Sequence, residues 1–146
     1  MKLEPLFYVN KNKLYKLSDN SEVNLSSLKK IEISWAKVEI EEESYNEEFL
    51  AQLREQLKTY DESGSFVILV PLVDKALDTA EATEAFINTF NHTARRVKDC
   101  VCVVGFELPP ELKDAQAFMD TLAIKHAQYQ YFSKDKNISN EGIVLY

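Results

Sequence analysis

Four carboxylates carry the chemistry this chain could perform: Glu39, Asp74, Glu107 and Glu111 each follow a run of residues that reads as a strand. If those strands lie parallel, their carboxyl ends gather at one edge of a sheet. A carboxylate pair held there can divide the work of general acid and general base. The ordinary fate of acidic residues at strand ends is solvation or helix capping, so the pair must be weighed against that background. Trp35 adds a ring that could stack on a ligand, although a tryptophan on an alternating strand more often packs in the core. Glu39, Asp74 and Trp35 are thus candidates for ligand binding, and Glu107 and Glu111 for catalysis.

Other reactive side chains fit no recognised arrangement. Cys100 and Cys102 stand two apart in an apolar run, which puts them on one face of a strand as buried, reduced thiols. Outside that pair the chain offers only His92 and His126, without H-E-x-x-H or paired C-x-x-C spacing, so no metal is expected. G-x-G-x-x-G and G-x-x-x-x-G-K-[ST] are absent, which removes the glycine turns that cradle phosphates, and no cofactor is expected. There is no G-x-S-x-G nucleophile elbow. The N-x-[ST] triplets at Asn24, Asn91 and Asn137 read as chance.

A chain of 146 residues, 45% hydrophobic and 28% charged, can build one core without staples and lies far from the composition of disorder. With three glycines and four prolines there is little material for a linker, so residues 1–146 read as a single domain. The formal charge of −7 repels phosphate backbones and anionic membrane surfaces, which argues against nucleic acid and membrane partners. The longest apolar run, Phe66 to Val73, falls short of the roughly 20 residues a membrane span needs. Met1-Lys2-Leu3-Glu4-Pro5 opens no signal peptide, and a cytoplasmic location is expected.

The elements that must position these residues follow from periodicity. Leu6 to Val9 and Lys13 to Leu17 flank Asn10-Lys11-Asn12 as a hairpin. Ile31, Ile33 and Trp35 alternate with polar residues, giving a strand that runs to Glu39. Ser44 and Glu47 form a capping box for a first helix carrying Phe49, Leu50, Leu53 and Leu57, closed by Ser63-Gly64. Phe66 to Val70 is continuously apolar, as a parallel strand covered on both faces should be. Asp78 and Glu81 cap a second helix with Phe86, Phe90 and Val97 on one stripe, and Val101 to Phe106 is a further buried strand. Pro109-Pro110 opens a third helix bearing Leu112, Ala115, Met119 and Leu122, before strands at 129–132 and 143–146. The fold class is α/β, with a mainly parallel sheet of about four strands, about three crossover helices and an N-terminal hairpin.

At the strand after the hairpin, Lys30-Ile-Glu-Ile-Ser-Trp35-Ala-Lys-Val-Glu39 and then Tyr45-Asn46 resemble the second strand and following helix of cellulase-like (β/α)8 glycoside hydrolases. Gly64 to Leu69 resembles the third strand of that family, and Val103-Val-Gly-Phe-Glu107-Leu-Pro-Pro-Glu111 the fourth. The resemblance implies a truncated barrel whose general acid would be Glu111 and whose Trp35 could stack on a sugar ring. Departures run through it: Lys30 replaces an arginine, Ile40 a proline, Ser44 a glycine, and Pro110 the asparagine beside the acid. The usual histidine after the third strand is missing, and the nucleophile of a later strand has no counterpart. The resemblance therefore implies a non-catalytic binding or interaction domain, with a carbohydrate or a protein as partner. A hydrolase using Glu107 or Glu111 is the contrasting reading. Val67 to Val73, Asp78-Thr79 and Val101 to Gly105 are also similar, more weakly, to STAS regulatory modules, which would make Thr79 a phosphoacceptor.

Four strands cannot close a barrel, so the face that would line its interior needs another cover. The expectation is a half-barrel-like or open sandwich covered by the hairpin or the C-terminal segment, or a homodimer through the open sheet face.

Overall fold

The computed structural model describes residues 4–146; Met1 to Leu3, part of the stretch read for a signal peptide, lie outside it. The chain opens with β1 (Phe7–Asn10) and β2 (Lys13–Lys16), an antiparallel hairpin. Lys11 and Asn12 turn it with φ of 49° and 65°, the left-handed pair that matches the twist of a two-residue hairpin loop. There follow β3 (Lys29–Ser34), α1 (Trp35–Val38), a small hairpin of β4 (Glu39–Glu41) and β5 (Ser44–Tyr45), α2 (Glu47–Ser63), β6 (Val67–Leu72), α3 (Ala80–Arg96), β7 (Val103–Glu107), α4 (Ala115–Ala123), β8 (Gln130–Ser133) and β9 (Val144–Leu145).

The main sheet has the order β3-β6-β7-β8-β9, and every pairing in it is parallel. Its strands lie side by side in chain order with no reversal. That is the arrangement of a barrel segment, and it separates the first resemblance from the STAS alternative. The sheet takes in five strands against the about four expected, the fifth being the C-terminal strand expected at 143–146.

The two faces are covered differently. Val67 and Leu69 of β6 join Ile31, Ile33 and Phe106 under the apolar stripes of the helices, with Leu50, Leu53 and Leu57 from α2, Phe86 and Phe90 from α3, and Phe118 and Leu122 from α4. The alternate residues Ile68 and Val70, with Val104, Phe132 and Val144, face the other way and pack with Phe7 and Leu14 of the first hairpin and with Val23 and Leu28. This inner face is dry within a single chain: Ile68, Val104, Phe132 and Val144 are at most 2% exposed. Phe7 meets Phe66 edge-on at 5.1 Å, and Asn12 is tied to the far strand, its amide donating to the Ile143 carbonyl at 2.7 Å. Of the covers open to the sequence, the hairpin and the C-terminal segment are those used, and a second copy is not needed to keep this face from water.

Several helix starts differ from expectation for a common reason, which is that the capping side chain is chosen by the loop geometry before it. The cap of α2 is Asn46, which accepts from the Phe49 amide, while Ser44 is drawn into β5. Thr79, not Asp78, caps α3. Pro109-Pro110 forms a turn closed by the Leu112 amide on the Pro109 carbonyl, and α4 starts only at Ala115 behind its cap Asp114. The predicted strand to Glu39 stops at Ser34, whose hydroxyl accepts from the Lys37 amide and begins the single turn of α1. Cys100 and Cys102 precede β7 rather than lying in it, yet both are buried and free.

Candidate functional site

The carboxyl ends of β3, β6 and β7 are where the sequence places its candidates, and each carboxylate there can be followed to its partners. Trp35 lies in α1, 2% exposed, with its ring edge-on to Phe86 at 5.2 Å. Its indole N–H donates to Glu39 Oε1 at 3.0 Å, and Lys75 Nζ reaches the same oxygen at 2.9 Å. Glu39 is itself 5% exposed. A buried carboxylate requires donors, and here two converge on one oxygen. Glu39 therefore ties α1 to the loop after β6 through Lys75, and the tryptophan ring belongs to the core.

Asp74 is exposed, but its carboxylate accepts from the Ala36 amide at 2.8 Å and from the Ser34 hydroxyl. It acts as a cap from a distance, satisfying the Ala36 amide at the start of α1, which has no partner within the helix. Asp74→Ala is expected to cost about 1 kcal/mol, as loss of a helix cap does. Urea denaturation of the two proteins checks it.

Glu107, at the end of β7, points to the inner face and is 7% exposed. The Tyr146 hydroxyl donates to its Oε1 at 2.5 Å, and Lys30 Nζ stands 3.8 Å from that oxygen. Glu111 sits in the turn beyond, exposed, with no hydrogen bond or ion pair to another described residue. Thr79 is exposed, and its hydroxyl accepts from the Ala82 amide. The fold brings Trp35 and Glu39 together and Asp74 beside them, and it leaves Glu111 apart. Lys75 and Tyr146 are the participants that sequence reasoning missed. Their partners lie 36 and 39 residues away in the chain, and no local spacing announces them.

Between the β4–β5 hairpin and α3 lies an acidic recess of about 100 Å³ lined by Glu39, Glu42, Glu43, Tyr45, Glu81 and Glu84. Burial first, and then the charges of Glu39 and Glu43, raise the Tyr45 phenol above its usual range. Among the described residues, no group of three or more His, Cys, Asp or Glu side chains is placed to hold a metal ion. Among the described residues, no helix is long and apolar enough to cross a membrane. Burial, followed by the nearby Asp61 and Asp99, pushes the Cys100 thiol up to about 11. Cys102 is raised further, and its sulfur donates to the Leu57 carbonyl at 3.3 Å. Thiolate is the reactive form, so both cysteines are expected to resist a thiol reagent at pH 8 in the native protein and to react on unfolding. A time course with and without guanidinium measures this.

No model of a known protein family matches the chain, and no curated protein matches it. Solved structures do. The chain is similar to endo-glycoceramidase II from Rhodococcus sp. in a cellobiose-like imidazole complex, at 13% identity and a TM-score of 0.58, covering 72% of this chain and 40% of that one. It is similar to Pseudomonas stutzeri endoglucanase Cel5A in complex with cellobiose, at 20% identity and a TM-score of 0.59, covering 71% and 37%. A GH5_18 protein from Bifidobacterium longum subsp. infantis matches at 11% identity and a TM-score of 0.55, covering 71% and 33%. The chain thus shares the fold of part of each of these structures. The chain spans 33 to 40% of the length of these three structures.

Proposed function

We propose that this chain is a non-catalytic binding or interaction domain built on part of a glycosidase-like barrel. The supporting observation is the commitment of its carboxylates: Glu39, Asp74 and Glu107 each hold another piece of the fold, through Trp35 and Lys75, through α1, and through Tyr146 and Lys30. Glycoside hydrolysis needs two carboxyl groups facing each other across the bond, about 5 Å apart for retention and roughly 6.5 to 9.5 Å for inversion. Of the four candidate carboxylates Glu111 alone is uncommitted, and Pro110 beside it has neither a side-chain amide nor a backbone N–H to offer a substrate.

Carbohydrate is the first ligand class to test, with a protein partner as the second. A ligand that binds only the native state at about 100 times its Kd adds roughly 2.7 kcal/mol of stability. A thermal-shift screen of cellobiose, lactose and longer soluble oligosaccharides is expected to give at least one upward shift of several degrees, equal in Glu111→Ala. Aryl glycoside turnover that vanishes in Glu111→Ala would overturn this reading.

A further inference from the structure

One cluster on the inner face is explained neither by the barrel nor by a sugar. The Tyr146 ring lies between three groups that come from separate strands. Its hydroxyl donates to Glu107 Oε1 at 2.5 Å, Lys30 Nζ stands 4.1 Å from its centroid, and the Phe132 ring is 5.6 Å away at 43°. Burial first, and the Glu107 carboxylate second, hold the phenol protonated well above its usual range, so it stays a donor.

Each of these contacts is one that a free phenol could make: an O–H to a buried carboxylate, a π-face to an ammonium, and a ring beside a ring. A sugar could supply the first but not the second. The hold on Tyr146 through its backbone is slight by comparison. The strand before it pairs with β8 only at Phe132–Val144 and Ser133–Leu145, and the Leu145 and Tyr146 amides donate to the Asn12 and Ser133 carbonyls at 3.2 and 3.1 Å. Residues 134–137 and 139–142, which lead into β9, are exposed. Ile143 and Val144 are buried and Asn12 holds the Ile143 carbonyl, so local opening is confined to Leu145 and Tyr146, which are only half-buried.

We propose that Lys30, Glu107 and Phe132 form a phenol-binding site that Tyr146 occupies in cis, and that a phenolic ligand binds there by displacing Tyr146 and opening the backbone at Leu145 and Tyr146. The site stands independently of sugar binding and of catalysis. Because the closed form competes, the apparent affinity of a free phenol is reduced by the fraction of molecules that are open.

The test uses p-cresol and toluene with the full chain, followed by amide NMR and thermal shift. Tyr146→Ala is expected to bind p-cresol at least about tenfold more tightly than the unmodified protein, since the competing ring is gone. Toluene should bind that variant about tenfold more weakly than p-cresol, because it leaves Glu107 without its O–H donor. Adding Glu107→Leu, which removes the acceptor, should erase the preference. In the unmodified protein, saturating p-cresol should speed hydrogen exchange at the Leu145 and Tyr146 amides and leave those of β6 unchanged. Equal p-cresol affinity with and without the Tyr146 ring, toluene matching p-cresol, or unaltered exchange at Leu145 and Tyr146 would each overturn the proposal. If Tyr146→Ala does not fold, the exchange measurement on the unmodified protein decides the matter by itself.

Discussion

Gly105→Ala is expected to cost more than about 4 kcal/mol, a loss reserved for changes that collide with the backbone itself. A Cβ at this position would lie 1.6 Å from the Gln130 carbonyl oxygen and 2.6 and 2.7 Å from that residue's carbonyl carbon and nitrogen. All three atoms are backbone of β8, so no side-chain rotation relieves the clash. The cause is a bulge: β6 pairs Val67 with Val103 but Ile68 with Gly105, so Val104 is the extra residue and the strand presses Gly105 against its neighbour. Relieving the contact means parting β7 from β8, the two strands that carry Glu107 and Phe132. The fall in melting temperature should exceed about 8 °C, at roughly 2 to 4 °C per kcal/mol for a domain of this size. Urea and thermal denaturation of the two proteins measure it, and a loss under about 1 kcal/mol would contradict the bulge.

Glu39→Ala is the second large effect. It strips the Trp35 indole and the Lys75 ammonium of the oxygen on which both converge, leaving a buried N–H unsatisfied and a cation without its partner. Hydrogen bonds to charged groups are worth about 1.5 to 3 kcal/mol, and Lys75 is about a third exposed, which discounts its share. A loss of about 3 kcal/mol is expected for Glu39→Ala. Glu39→Gln, which keeps an acceptor and removes only the charge, should lose about half of that. Chemical denaturation separates the outcomes. If Glu39 served a ligand instead, both substitutions would leave stability within about 0.5 kcal/mol and alter only binding.

The same residues show what sequence can and cannot give. Alternation was legible: Ile31 and Ile33 fall on the helix-covered face as their period-two spacing demands, and β6 and β7 are buried on both faces as their unbroken apolar runs predict. The element holding Trp35 was not legible, because the strand ends where Asp74, far along the chain, takes the amide of Ala36. Helix existence was clear from the stripes of Leu50, Leu53 and Leu57 and of Phe86 and Phe90, whereas starts slipped by one to several residues wherever Ser44, Asp78 or Pro110 offered a local alternative. The inner-face cover could be narrowed to a few segments but not chosen, since hairpin packing on a sheet is a long-range contact between ordinary apolar residues. For the site, residue types were visible and their obligations were not. A glutamate on a strand reads alike whether it awaits a substrate or holds a tyrosine.

If this chain is the non-catalytic domain proposed, the direct measurement is turnover of p-nitrophenyl cellobioside by the purified chain and by Glu111→Ala over several pH values. Release indistinguishable from the buffer blank is then expected in both. Release well above the blank that disappears in Glu111→Ala, with the variant still folded, would contradict it.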